Sequence, residues 1–149
     1  MKTYYAAVLY LIAAAAIAGE TAPSQPLPPG HPSIGRAAEI GDVRVAKATG
    51  ADARTVEEVI KQRAALKDKP VVVHGKVVKF NGGIMGKNWV HLRDGTGSAA
   101  DGSNDVLVTT QDVAKVGDVV TVRGMVRTEK DFGSGYSYAV LIEDATVKP

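Results

Sequence analysis

The sequence predicts an all-β domain, a five-stranded barrel with a preceding N-terminal α-helix. Three observations carry this expectation. From Pro70 onward, five valine-rich, β-branched runs are separated by glycine-rich or polar turns. Gly75 and Gly124 stand inside two of the runs, where glycine marks a bulge or a sharp bend. One capped amphipathic segment precedes the runs. Five strands in about 80 residues suit a small closed barrel or a sandwich, and the two glycines favour the barrel, whose long strands must bend to serve both halves.

The chain opens with MKTYYAAVLYLIAAAAIAGE, in which Lys2 precedes an apolar run from Tyr4 to Ile17 and Ala16-Ile17-Ala18 gives the small-x-small pattern of a signal-peptidase site. Residues 1–18 read as a signal peptide cleaved after Ala18, with export to a periplasmic or secreted location and no stable membrane insertion afterwards. The alternative is a retained anchor, but the run is shorter than the roughly 20 apolar residues a bilayer requires and lacks a basic flank behind it. The absence of cysteine removes a lipid-acylation site, a disulfide framework, thiol catalysis and covalent c-type haem attachment. Without Lys2, 17 of the 18 basic residues remain against 16 acidic ones, which argues against a strongly cationic nucleic-acid binder.

Residues 19–36 hold five of the seven prolines and read as an extended, proline-rich leader, with His31 as a solvated spacer. The folded domain is expected to span 37–149. It begins with IGDVRVAKATGADAR, expected to form a short edge strand around Asp42 to Ala46 and then a loop. TVEEVIKQRAALKDK predicts a helix over 55–67: Thr55 caps it, Glu58 is the reciprocal partner, and Val56, Val59, Ile60 and Ala64 share the apolar face. The five strands are PVVVHGKVVKF, NWVHLRD, DVLVTTQ, DVVTVRGMVRT and YSYAVLIEDATV.

The succession VHGKVVKF, WVHLRDGTG and KVGDVVTVRGMV resembles the OB-fold of the anticodon-binding and single-strand-binding type. In that family a V-x-G-x-V strand leads to one ending in D-G-T-G, followed later by G-D-V-x-V-x-G-x-V. With TVEEV and AALKDK ahead of it, GKVVKFNGGIMGKNWVHLRDGTG is similar to a group of exported bacterial OB-fold proteins labelled nucleotide-binding or DNA-binding and often associated with respiratory c-type cytochromes. An exported OB-fold family with a stress-related role is a more distant likeness. The resemblance spans about residues 40–147 and implies a fold more specifically than an activity.

Gly82-Gly83-Ile84-Met85-Gly86-Lys87-Asn88 is not a P-loop. Three residues, not four, separate Gly82 from Gly86, Asn88 replaces the hydroxyl residue, and a strand follows. The stretch reads instead as the loop joining the first two strands. In the second strand Val90 and Leu92 share one face and Trp89, His91 and Arg93 the other, so inward valine and leucine would leave an outward row able to stack on bases and pair with phosphate. The competing reading packs Trp89 beneath the helix. Ile84 and Met85 are expected to fold back onto the barrel end, the alternative being an exposed anchor for a partner. Between the fourth and fifth strands, Phe132, Tyr136 and Tyr138 lie near Arg127 and Lys130, either as a single-strand groove or as a hairpin whose tyrosines flank the sheet. Lys79, Lys87, Arg93 and Arg123 would extend these cations into one basic side.

Asp94, Asp101, Asn104 and Asp105 lack calcium-hand spacing and read as a solvated turn. His74 and His91 lack companions for zinc, and no serine has a nucleophile context. The expectation is a cofactor-free, metal-free, non-enzymatic binding protein. Its ligand would be single-stranded nucleic acid or a nucleotide or, alternatively, an envelope protein such as a c-type cytochrome.

Overall fold

The computed structural model describes residues 42–149, and both the apolar leader of 1–18 and the proline-rich stretch of 19–36 lie outside the described residues. Valine-rich alternation produces β1 (Pro70–Ile84), β2 (Lys87–Arg93), β3 (Val106–Thr110), β4 (Val119–Asp131) and β5 (Ser137–Lys148), so all five expected strands form. They close into a ring in the order β1-β2-β3-β5-β4. Every pairing is antiparallel except that of β3 with β5.

β1 belongs to both halves of the ring. Its first part, Pro70 to Lys76, pairs with β4, and its second, Lys76 to Ile84, pairs with β2. The bend falls where Gly75 permits close approach: a Cβ there would lie 2.8 Å from Leu92 Cγ and 2.9 Å from the Arg93 carbonyl oxygen. Gly124 does the same for β4, beside a register shift between Arg123 and Met125. Both glycines are needed for space.

The ring's interior holds Val71, Val73, Val77, Val90, Leu92, Val106, Val108, Val122, Val126 and Ile142. Val56 and Val59, from the helix, are fully buried in the same core. That helix is capped as expected, with Thr55 Oγ1 accepting from Glu58 N at 3.1 Å and Glu58 Oε2 accepting from Thr55 N at 2.7 Å. A salt bridge from Lys47, then the Thr55 amide, hold the Glu58 carboxyl below its usual range. The helix is not continuous over 55–67. It divides into α1 (Val56–Lys61) and α2 (Arg63–Leu66) at Gln62, whose φ of −98° and ψ of 17° leave the helical region. The break rotates the second piece, so that Leu66 enters the core and Ala64 is exposed.

No edge strand forms over Asp42 to Ala46. The segment crosses the loop after β2, with the Val45 amide donating to the Asp94 carbonyl at 2.9 Å and the Val43 carbonyl so close to Gly95 that no side chain fits there. Extended pairing occurs later, where Ala53 bridges Val72 in parallel. β1 also runs further than expected, to Ile84, leaving Met85 and Gly86 as a two-residue turn with φ of 55° and 72°. Positive φ at both positions matches the twist of a hairpin, so Gly82 and Gly83 belong to the strand. Among the described residues, no helix is long and apolar enough to cross a membrane.

Candidate functional site

The period of β2 sorts its side chains as expected: Val90 and Leu92 are inside, and Trp89, His91 and Arg93 are on the outer face. Facing outward does not expose Trp89, which is only 3% accessible. Its cover is not the helix. Leu107 and Leu141 lie alongside, with Ile84, Phe132 and Tyr138 packed against them. Phe132 meets the indole edge to face at 5.1 Å between centroids, Tyr138 stands at 5.5 Å and Tyr136 at 6.0 Å. The indole Nε1 donates to the Ile84 carbonyl at 2.8 Å, so the buried polar atom is satisfied. Ile84 folds back as anticipated, whereas Met85 at the turn is 48% exposed.

The aromatic cover is the connection from β4 to β5. The Phe132 amide donates to the Tyr136 carbonyl at 2.9 Å, and Gly133, Ser134 and Gly135 turn the chain with φ of 80°, 53° and 84°. Tyr138 loses solvent on one side, and this burial, with Tyr136 nearby, pushes its phenol above the usual range.

On one side of Trp89, His91 and Arg93 share a carboxylate. His91 Nδ1 lies 2.7 Å from Asp105 Oδ1, and Arg93 Nε donates to Asp105 Oδ2 at 2.9 Å. Burial pushes the Asp105 carboxyl up, but hydrogen bonding and charge from His91 and Arg93 outweigh it and hold the carboxyl below its usual range. Lys79 is opposite His91 across the β1–β2 ladder and makes no ion pair among the described residues.

On the other side, Lys87, Arg127 and Lys130 converge on Glu143, at 3.9, 3.1 and 3.1 Å. Asp144 accepts from Lys87 at 2.6 Å and Asp68 from Arg127 at 2.7 Å. Hydrogen bonds to Asp68 and Glu143 raise the Arg127 pKa further. Lys130 Nζ is also 5.4 Å from the Phe132 ring centroid. The expected continuous basic side does not form. Arg123 is placed near Asp52 at 3.9 Å, opposite Val72 on β1 and Thr146 on β5, and the remaining cations except Lys79 are matched by acids.

The solvated-turn reading is wrong for Asp94. Asp94 is buried; its Oδ2 accepts from the Val56 amide at 2.9 Å, while Oδ1 accepts from the Thr96 amide at 2.9 Å and hydroxyl at 2.6 Å. Thr96 Oγ1 in turn accepts from the Glu57 amide at 3.1 Å. The Asp-Gly-Thr-Gly sequence is thus a clasp on the N-terminus of α1, where carboxylates complement unpaired amides. Asp101 remains exposed and is bonded to Ser103, and no group of three or more His, Cys, Asp or Glu among the described residues is placed to hold a metal. Arg93 also lines a cavity of about 200 Å³, together with residues that include Asp42, Thr96, Gly97 and Asn104, below the roughly 300 Å³ of ordinary small-molecule pockets.

Models of known families, curated proteins and solved structures yield no match to this chain.

Seven of the ten sequence-derived candidates, Lys87, Trp89, Arg127, Lys130, Phe132, Tyr136 and Tyr138, therefore meet in one aromatic and cationic cluster, with Lys79, His91 and Arg93 beside it. Sequence reasoning missed Asp105, Glu143, Asp144 and Asp68 as their partners. The register of β2 with β3 carries the signal for Asp105, because Leu92 opposite Val106 sets Arg93 opposite Asp105.

Proposed function

We propose that the ring is an OB-fold and that the protein is an exported, non-enzymatic binding protein, periplasmic or secreted, whose outer face around Trp89 takes single-stranded nucleic acid or a nucleotide. The strand order β1-β2-β3-β5-β4 supports the fold assignment. The observation that carries the ligand reading is the convergence of Trp89, Phe132, Tyr136 and Tyr138 with Lys87, Arg127 and Lys130 on the face of β2 and the flanking loops. Exposed Tyr136 and half-buried Phe132 and Tyr138, with Trp89 beneath them, offer aromatic surface for bases beside cations for phosphates, the two elements of a single-strand groove.

The test uses the only tryptophan as its reporter. A mixed-sequence single strand titrated at low salt shifts Trp89 emission, and the affinity falls log-linearly as salt rises. Unchanged emission together with no mobility shift removes the reading.

A second reading is a protein-interaction module serving a c-type cytochrome or another envelope component. It is favoured by the acid partners of Lys87, Arg93, Arg127 and Lys130, which leave little net charge on the face, and by exposed Met85 at the turn. Such docking is far less sensitive to salt than phosphate binding.

A further inference from the structure

Glu143 is 6% exposed, yet three cations from two strands reach it: Lys87 of β2, with Arg127 and Lys130 of β4. One carboxylate carries one negative charge, so two positive charges are left over. Two carboxylates further out meet them, Asp144 on Lys87 and Asp68 on Arg127, and their side chains are 72% and 57% exposed. The inner and outer acids are therefore not equivalent. Removing Glu143 would leave the cations gathered without the charge that gathers them. Asp144 and Asp68 lose little by turning into water, because exposed ion pairs are screened and weak. Lys130 has no carboxylate partner other than Glu143 among the described residues.

We propose that Glu143 organises Lys87, Arg127 and Lys130 into a subsite for a phosphate group, with Asp144 and Asp68 as exchangeable counter-ions that the phosphate displaces. Phosphate oxygens accept charge-assisted hydrogen bonds from both lysines and from the outward guanidinium nitrogens of Arg127. The subsite borders the aromatic cover through Lys130 and Phe132, so a phosphate held here places the attached nucleoside toward Phe132 and Tyr138, which cover Trp89. The assignment rests on the reading of this face as a nucleotide or single-strand site and adds which residues take the phosphate.

Inorganic pyrophosphate is the first probe, followed by phosphorus NMR and calorimetry at low salt, and a mixed-sequence single strand is the second. The variants are Asp68→Asn/Asp144→Asn and Lys87→Met/Lys130→Met, which leave buried Glu143 in place, with thermal melting to show that each is folded. The expected result is pyrophosphate binding that tightens about tenfold in the asparagine variant, where the competing counter-ions are gone, and is lost in the methionine variant. Absence of pyrophosphate binding in both the wild type and the asparagine variant overturns the subsite. Single-strand binding that is unchanged in the methionine variant also overturns it while leaving the single-strand reading of the face intact. Pyrophosphate bound at the cluster with no single-strand binding supports the subsite and removes the single-strand reading.

Discussion

Trp89 and Phe132 meet edge to face at 5.1 Å and 73°, so the part of the face expected to stack on a ligand stacks on the protein's own β4–β5 connection. Replacing the cover with Phe132→Ala/Tyr136→Ala exposes the indole: its emission moves to the red and acrylamide quenches it more strongly. The aromatic contacts forfeited are worth about 0.5–1.5 kcal/mol each, so the variant still folds. An emission spectrum identical to wild type would show that other groups shield the indole. Trp89→Ala removes a side chain buried on every side and costs roughly 3–5 kcal/mol in urea unfolding, so it reports on stability before it reports on binding.

Asp94 satisfies the first amide of α1 from a position 38 residues away in the chain. Asp94→Ala leaves the Val56 amide and the Thr96 hydroxyl without their acceptor and lowers stability by about 2–3 kcal/mol. Urea midpoints measure this, and a change below about 0.5 kcal/mol, the scale of an ordinary surface substitution, contradicts the clasp.

Acid should loosen the pair of His91 and Arg93 around Asp105. The folded-state carboxyl titrates below its unfolded value of about 3.9, so its contribution to stability is fully present above that value and is lost as pH falls through the lower, folded-state value. Asp105→Asn removes this contribution, and its stability declines less steeply than the wild type's below about pH 4. Parallel stability curves for the two proteins in acid would refute the coupling.

Gly124 has no room for a methyl group, since a Cβ would lie 2.6 Å from Ile142 Cγ2 and 2.9 Å from Ala145 Cβ. Gly124→Ala therefore overpacks the β4–β5 contact and costs about 1–3 kcal/mol. Thermal unfolding without a fall in midpoint would mean that the strands separate easily there.

Features set by a residue and its near neighbours in sequence were legible. Thr55 with Glu58 marks a helix start, glycines within valine runs mark bends, and alternation in β2 sends Val90 and Leu92 inward. What lies against the outward side is decided by segments far away, and local period carries no information about them. The cover on Trp89 comes from residues more than 40 positions later, and the acid partner of Lys87 from Asp144. The Asp94 turn misled for the same reason: its sequence is that of an exposed loop, and only the packing of α1 over it makes the carboxylate internal. Ala64 failed because the break at Gln62 interrupts the period that assigned it.

The same carboxylate that ends β2 begins α1, and this makes the ring inseparable from what precedes it. A fragment starting at Pro70 would contain every strand but leave Asp94 Oδ2 without the Val56 amide, beside a core missing Val56, Val59 and Leu66. The smallest autonomous piece therefore starts no later than Ala53, and grafting the strands alone onto another protein would transplant a lesion along with the fold.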